Sequence, residues 1–203
     1  IKQIAVMFCK NQCSYNIFKN SKGKTILRAL KFVLNWWRTL PCQVAYALSG
    51  NKQMVISDFG SYGNIVRTLV FAKHNRNLFY HRMGRSSILY SWILPGDRSI
   101  KIPFSCTIGK HAHFVHNDSC HLNAKRIGDD FICYPHVVIG TKSLYHNEKP
   151  TIGNNVTIGS GAVIVGDIKI GNNVTIGANS FVCQDIPDGS RVIGNPIIFI
   201  EKK

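Results

Sequence analysis

Of the 203 residues, 45% are apolar, enough for a buried core, which excludes a disordered chain. Every apolar run is broken by Lys, Arg or His before it reaches the roughly 18 residues of a membrane span, and no secretory signal is evident. The net charge of +15 is lopsided: sixteen Lys and Arg stand against two acids from Ile1 to Lys101, and nine against eight from Ile102 to Lys203.

Two regions of different character therefore join near residue 101. The seven cysteines (Cys9, Cys13, Cys42, Cys106, Cys120, Cys133 and Cys183) are odd in number, scattered and without a CxxC pair. That pattern predicts free thiols in a reducing cytoplasm, no disulfide frame and no zinc site.

In the first region, "TILRALKFVLNWW" at 25–37 places Ile26, Ala29, Leu30, Val33, Leu34 and Trp37 at helical spacing, with Lys24, Arg28 and Lys31 largely opposite. Pro41 is expected to end this helix. "GNIVRTLVFAKHNRNLFYHRMGRSSILYSWILPGD" reads as one or two further helices stopping at Pro95-Gly96. Residues 1–100 are thus expected to be a basic, mostly helical region. No nucleic-acid-binding module is recognisable, so no nucleic acid partner is expected. A basic amphipathic helix with Trp36-Trp37 suits a peripheral contact with the inner face of a membrane. The other reading is a helical cap and oligomerisation region whose charge is solvated.

After Lys101 the period changes to six. Ile or Val recurs at Ile152, Ile158, Ile164, Ile170, Ile176 and Val182, and "IGNNVTIG" appears twice, eighteen residues apart. Repeats this short bury their apolar side only by stacking, which predicts a parallel β-solenoid with three hexapeptides per triangular coil. Gly153, Gly159, Gly171 and Gly177, with Asn154-Asn155 and Asn172-Asn173, suit corners needing unusual backbone angles. Backwards, the register runs through Ile139, Cys133, Ile127, His121 and Val115 to Ile108 and Ile102, with a one-residue slip after Ile108. It puts His121 at an inward position, as a hydrogen-bonded core histidine or else as a ligand or second acid-base group. The region 101–203 is expected to form the solenoid, with a loop extruded near 141–150.

"RNLFYHRMGR", "TIGKHAHFVHNDSCHLNAKRIGDDF", "VVIGTK", "KPTIGNNVTIGSGAVIVGDIKIGNNVTIGANSFV" and "DIPDGSRVIGNP" together resemble the hexapeptide-repeat acyltransferases, in the branch of serine acetyltransferases and surface-polysaccharide O-acetyltransferases. The resemblance covers about residues 78–200 and implies a left-handed parallel β-helix, a homotrimer, and acetyl-CoA bound along the groove between neighbouring subunits. It also implies transfer of an acetyl group to a small-molecule or saccharide hydroxyl, with no metal.

Such a transfer needs a base for the hydroxyl proton, and histidine suits neutral pH. The resemblance selects His116, eleven residues before Ile127, with Tyr134 and His136 one coil on as substrate-facing candidates. His111 and His113 lack the carboxylate or Cys partners of a metal pair. Where related serine acetyltransferases carry an Asp that orients the base, this chain has Lys101, so Asp118, Asp58 or a backbone carbonyl is the candidate substitute. Lys149 stands where they carry a loop His before Pro. For the cofactor, the resemblance points to Thr141, Ser160 and Ala178 on successive corners, with Lys142, and then Arg191 and Lys149, meeting phosphates. Two further readings stand beside O-acetyl transfer: a catalytically silent scaffold or anion-binding module, and an N-acetyltransferase acting on an amino-sugar.

Overall fold

Helical spacing is realised between Lys22 and Ser91, and the part of the basic region before Lys22 lies outside the described residues. The computed structural model describes residues 22–115, 119–143 and 148–200. Helix α1 (Lys22–Trp36) passes through a 3-10 turn at Trp37–Thr39 into α2 (Leu40–Leu48), followed by α3 (Lys52–Phe59), α4 (Tyr62–Phe71), α5 (Lys73–Met83), a 3-10 turn at Gly84–Ser87 and α6 (Ile88–Ser91). Pro41 does not stop a helix. It occupies the first turn of α2, where a missing N–H costs nothing and its fixed φ favours the helix. Among the described residues no helix follows α6, in line with the turn chemistry of Pro95-Gly96.

These helices bury a core that includes Val55, Ile65, Leu69, Phe79, Tyr80 and Tyr90. Helix α1 contributes little to it. Phe32 stacks on Phe71 of α4 with ring centroids 6.2 Å apart, while Leu27, Leu30, Val33, Leu34 and Trp37 stay exposed.

From Thr107 the chain winds into a parallel β-helix of three faces. The first face joins β1 (Thr107–Ile108), β4 (Arg126–Ile127), β7 (Thr151–Ile152) and β10 (Lys169–Ile170). The second joins β2 (His113–Phe114), β5 (Ile132–Cys133), β8 (Thr157–Ile158), β11 (Thr175–Ile176) and β13 (Arg191–Ile193), and is closed by antiparallel β14 (Ile198–Phe199). The third joins β3 (His121–Leu122), β6 (Val138–Gly140), β9 (Val163–Val165) and β12 (Phe181–Val182).

Ile152 pairs with Ile170, Ile158 with Ile176 and Ile164 with Val182, each eighteen residues on, so the doubled octapeptide is one coil repeated. Earlier, Ile127 pairs with Ile152 across twenty-five residues, because residues 141–150 intervene between β6 and β7.

The upper coil departs from the expected register. Phe114 and Leu122 point inward, and His121 is exposed. Two additional residues between β2 and β3 shift the alternation, and since side chains alternate across a strand, a one-residue displacement turns His121 outward.

The second-position glycines also act differently from the expectation. Gly153 and Gly159 do not have positive φ. A Cβ on Gly153 would lie 2.7 Å from the Gly171 carbonyl oxygen, and one on Gly159 2.6 Å from the Ala178 nitrogen. Their requirement is close backbone approach between coils. The left-handed conformation falls instead on Asn155 (φ 52°) and Asn173 (φ 56°). At that corner, between the first and second faces, side chains form a ladder along the axis. Asn154 N–H donates to Asn172 Oδ1 at 2.9 Å, and Asn172 N–H donates to Asp188 Oδ1 at 2.7 Å.

A buried ion pair docks the helices on the first coil. Arg82 Nε of α5 donates to Asp58 Oδ2 of α3 at 2.7 Å, and the same guanidinium donates to the carbonyls of Ile108 and Gly109. Asp58 Oδ1 accepts from Ala112 N–H at 2.9 Å, and its side chain is 0% exposed. Phe59 packs against both hydrophobic cores.

Candidate active site

The corner after each strand of the second face is a column of stacked backbone. Tyr134 N–H donates to the Ile158 carbonyl at 3.0 Å, and Gly159 N–H to that of Ile176 at 2.7 Å. These two bonds bring Tyr134-Pro135-His136, Gly159-Ser160-Gly161 and Gly177-Ala178-Asn179 into line along the axis. The third residue of each triplet is left-handed (His136 φ 62°, Gly161 φ 72°, Asn179 φ 55°). Ser160 Oγ donates to the Pro135 carbonyl at 2.9 Å, which fixes the column from one coil to the next.

Ala178 is exposed, and the glycines flanking Ser160 keep the track low and narrow. Such a strip of small residues matches a long, flexible ligand lying along the axis. Tyr134 and His136 are both exposed at its upper end.

The column continues upward through Val115, whose N–H donates to the Cys133 carbonyl at 2.9 Å. His116 and Asp118 follow immediately and lie outside the described residues. The chain resumes at Ser119 (φ 51°), whose N–H donates to Ser99 Oγ at 3.1 Å. Val115, the residue before His116 in sequence, thus stands at the head of the Tyr134–Ser160–Ala178 column.

Thr141 and Lys142 stand elsewhere. They follow β6, on the corner where Gly166 N–H donates to the Gly140 carbonyl at 3.1 Å. Within one chain they share no column with Ser160 and Ala178. The hexapeptide spacing alone does not tell which of three corners a residue occupies after an insertion. Of the weaker phosphate candidates, Arg191 begins β13 and is exposed, and Lys149 is half-buried beside Pro150.

Asp58 is committed to Arg82 and Ala112, as described, so its place is the joint between helices and coil. Burial raises its carboxyl despite the guanidinium alongside. Lys101 forms a parallel bridge with His121: its N–H donates to the Cys120 carbonyl at 2.8 Å and its carbonyl accepts from Leu122 N–H at 2.9 Å. Both side chains are exposed at the top of the third face, directly after residues 116–118. A cation and an imidazole are therefore neighbours there.

Sequence reasoning missed the cavity beside them. About 460 Å³ lies between α5, α6 and the segment Ile100–Phe104, with Asn77, His81, Ile88, Lys101 and Phe104 in its lining. His81 stacks on Phe104 with centroids 6.1 Å apart, and its buried Nδ1 has no hydrogen-bond partner among the described residues. Burial lowers its pKa to about 4, so it is neutral near pH 7. Nothing local in "FYHRM" marks that histidine, because its burial comes from a segment more than twenty residues away.

His111 Nδ1 lies 3.1 Å from Asp130 Oδ1 on an exposed corner. Among the described residues no group of three or more His, Cys, Asp or Glu is placed to hold a metal ion.

Residues 149–184 match the family model described as bacterial transferase hexapeptide, six repeats. No curated protein sequence matches the chain. Among solved structures, the chain is similar to soybean serine acetyltransferase complexed with serine, with 23% identity and a TM-score of 0.63 over 74% of this chain and 69% of that one. The soybean apoenzyme aligns at 22% identity and a TM-score of 0.64 over 93% and 78%, so the likeness includes the helices. Serine acetyltransferase of Neisseria gonorrhoeae aligns at 22% identity and 0.59 over 75% and 63%. The fold is accordingly a hexapeptide-repeat, left-handed parallel β-helix with N-terminal helices, that of the serine acetyltransferases.

Proposed function

We propose that the chain is an O-acetyltransferase that uses acetyl-CoA and acts on a hydroxyl of L-serine or of a surface-polysaccharide sugar. The observation that carries this reading is the single column of small corners, Ser160 and Ala178, that leads up the axis to Val115, the residue before His116. Bound there, acetyl-CoA would supply the acetyl thioester.

The fit is one of shape. The glycines leave no side chain to obstruct a pantetheine-like arm, and Ser160 spends its proton on Pro135, keeping its oxygen close to the backbone. Thr141 and Lys142 belong to this groove only if a neighbouring protomer brings the second corner against the first, which is the arrangement of a homotrimer with its sites between subunits. Lys142 would then hold phosphate.

His116 takes the proton from the acceptor hydroxyl as its oxygen attacks, with no acyl-enzyme. Lys101 cannot orient the imidazole as an Asp would, and Asp58 is engaged elsewhere, so Asp118 is the partner this reading assigns. The cavity beside Lys101 and His81 is the acceptor's side of the site, with Tyr134 and His136 at the groove mouth.

Removing the base should cost about 10² to 10⁴-fold in rate. Release of free CoA by His116→Ala, with L-serine and a panel of hydroxyl and amino sugars, checks the assignment, and wild-type rates in the variant would refute it. Turnover confined to amino sugars would make the chain an N-acetyltransferase.

A second reading, a silent scaffold or anion-binding module, draws on Lys101 and Lys149 at positions where the related enzymes have Asp and His. It predicts no acetyl-CoA-dependent turnover with any acceptor.

A further inference from the structure

Helix α1 carries an apolar stripe that no other element among the described residues covers. Leu27, Leu30, Leu34 and Trp37 recur at intervals of three or four, which puts them on one helical face, and each is between 55% and 67% exposed. Arg38 continues from this stripe to the far end of the helical region. Its Nε and Nη2 donate to the Ile93 carbonyl at 3.2 and 2.7 Å, tying the end of α1 to the end of α6. There Leu89 and Trp92 are exposed at 78% and 76%. Soluble surfaces rarely gather large apolar side chains in this way unless something covers them.

Charge decides what the cover is. Lys22, Lys24, Arg28 and Lys31 lie on α1 with no acid among its fifteen residues. The region up to Lys101 has only two acids, and both are already engaged: Asp58 is buried and pairs with Arg82, and Asp97 Oδ1 accepts from Ser99 N–H and Oγ at 3.0 and 2.8 Å. A second copy would bring a region of sixteen Lys and Arg with two acids against another of the same charge. Residues 1–21 add three Lys and no acid, so they cannot neutralise the face either. An anionic bilayer surface supplies both complements, headgroup charge for Lys and Arg and an apolar boundary for Leu and Trp.

We infer that α1, together with the end of α6, docks this protein on anionic phospholipid as a peripheral interfacial contact. No helix among the described residues is long and apolar enough to cross a membrane, so the stripe lies in the interface. This goes beyond the acetyl-transfer reading and does not depend on it.

The test is sedimentation of the full chain with vesicles of phosphatidylcholine alone and of phosphatidylcholine with 30% phosphatidylglycerol, beside the oligomeric mass in solution. Binding to the anionic vesicles should be at least tenfold tighter, should weaken as salt is raised, and should shift Trp emission to the blue. The double variant Leu30→Glu/Leu34→Glu changes only exposed positions. It should retain the wild-type circular dichroism and mass, and lose at least tenfold in vesicle affinity. Equal binding to both lipids, or undiminished binding by the double variant, overturns the inference. So does a fall in oligomeric mass in the variant with no vesicle binding by the wild type, which would assign the stripe to another copy of the chain. CoA release in solution without vesicles should be the same in both proteins, so a failure here leaves the enzymatic reading standing.

Discussion

The interior of the β-helix and the stripe of α1 are both periodic and apolar, yet one is sealed and the other open. Ile152, Ile158, Ile164, Ile170 and Ile176 are all buried, because each coil presents to the next the surface that the next requires. A hexapeptide repeat carries its own partner eighteen residues away. A helix stripe does not, and Leu30 or Leu34 must find cover in another element or another body. Periodicity therefore predicts burial reliably only where the repeat itself supplies the stack.

The sharpest way to break this comparison is at the joint between the two regions. Asp58→Ala leaves the Arg82 guanidinium buried without its carboxylate and should cost about 3–5 kcal/mol, seen as one lowered unfolding transition. Two separate transitions, with the β-helix melting at its wild-type temperature, would show that the regions are energetically independent.

Truncation inside each periodic element comes next. Ile158→Ala, fully buried in the second face, should lose about 2–5 kcal/mol, whereas Leu34→Ala on the open stripe should change stability by less than about 0.5 kcal/mol in the absence of lipid. Denaturant midpoints measure both, and equal losses would mean that α1 is covered in solution.

The interface cavity offers a smaller, pH-dependent effect. His81 has its folded pKa lowered to about 4 from the usual 6.5. The folded state favours the neutral ring, so as pH falls the unfolded chain takes up the proton first. The stability present above pH 6.5 is then lost progressively towards pH 4, by about 1–3 kcal/mol. His81→Leu should flatten that part of the stability curve, and an unchanged slope would contradict the burial described for it. The least effect is expected at the corner ladder, where Asn172→Ala removes one rung and should cost about 1 kcal/mol by urea denaturation.

Sequence exposed the regular part of this molecule and little of its joints. The eighteen-residue coil and the helical character between Lys22 and Ser91 follow from local spacing. His121 was misplaced because "FVHNDSCHL" alternates acceptably in two registers, and only pairing with Lys101 and Val138 decides between them. Pro41 opens a helix that spacing alone treats as closed. The Asp58–Arg82 pair and the Lys101–His121 bridge join residues twenty or more apart, and no local pattern announces either. Thr141 was grouped with Ser160 and Ala178 for the same reason: an insertion preserves the period while changing the corner.

The central claim is that the Ser160–Ala178 column receives acetyl-CoA, and a thermal shift of the wild type and of Ala178→Trp tests it most directly. Ala178 is exposed, so the larger side chain should fill the groove without disturbing the core. Acetyl-CoA at about 100 times its dissociation constant should stabilise the wild type by about 2.7 kcal/mol, or roughly 5–10 °C, and the variant not at all. No shift in the wild type, or the same shift in both proteins, would contradict the account.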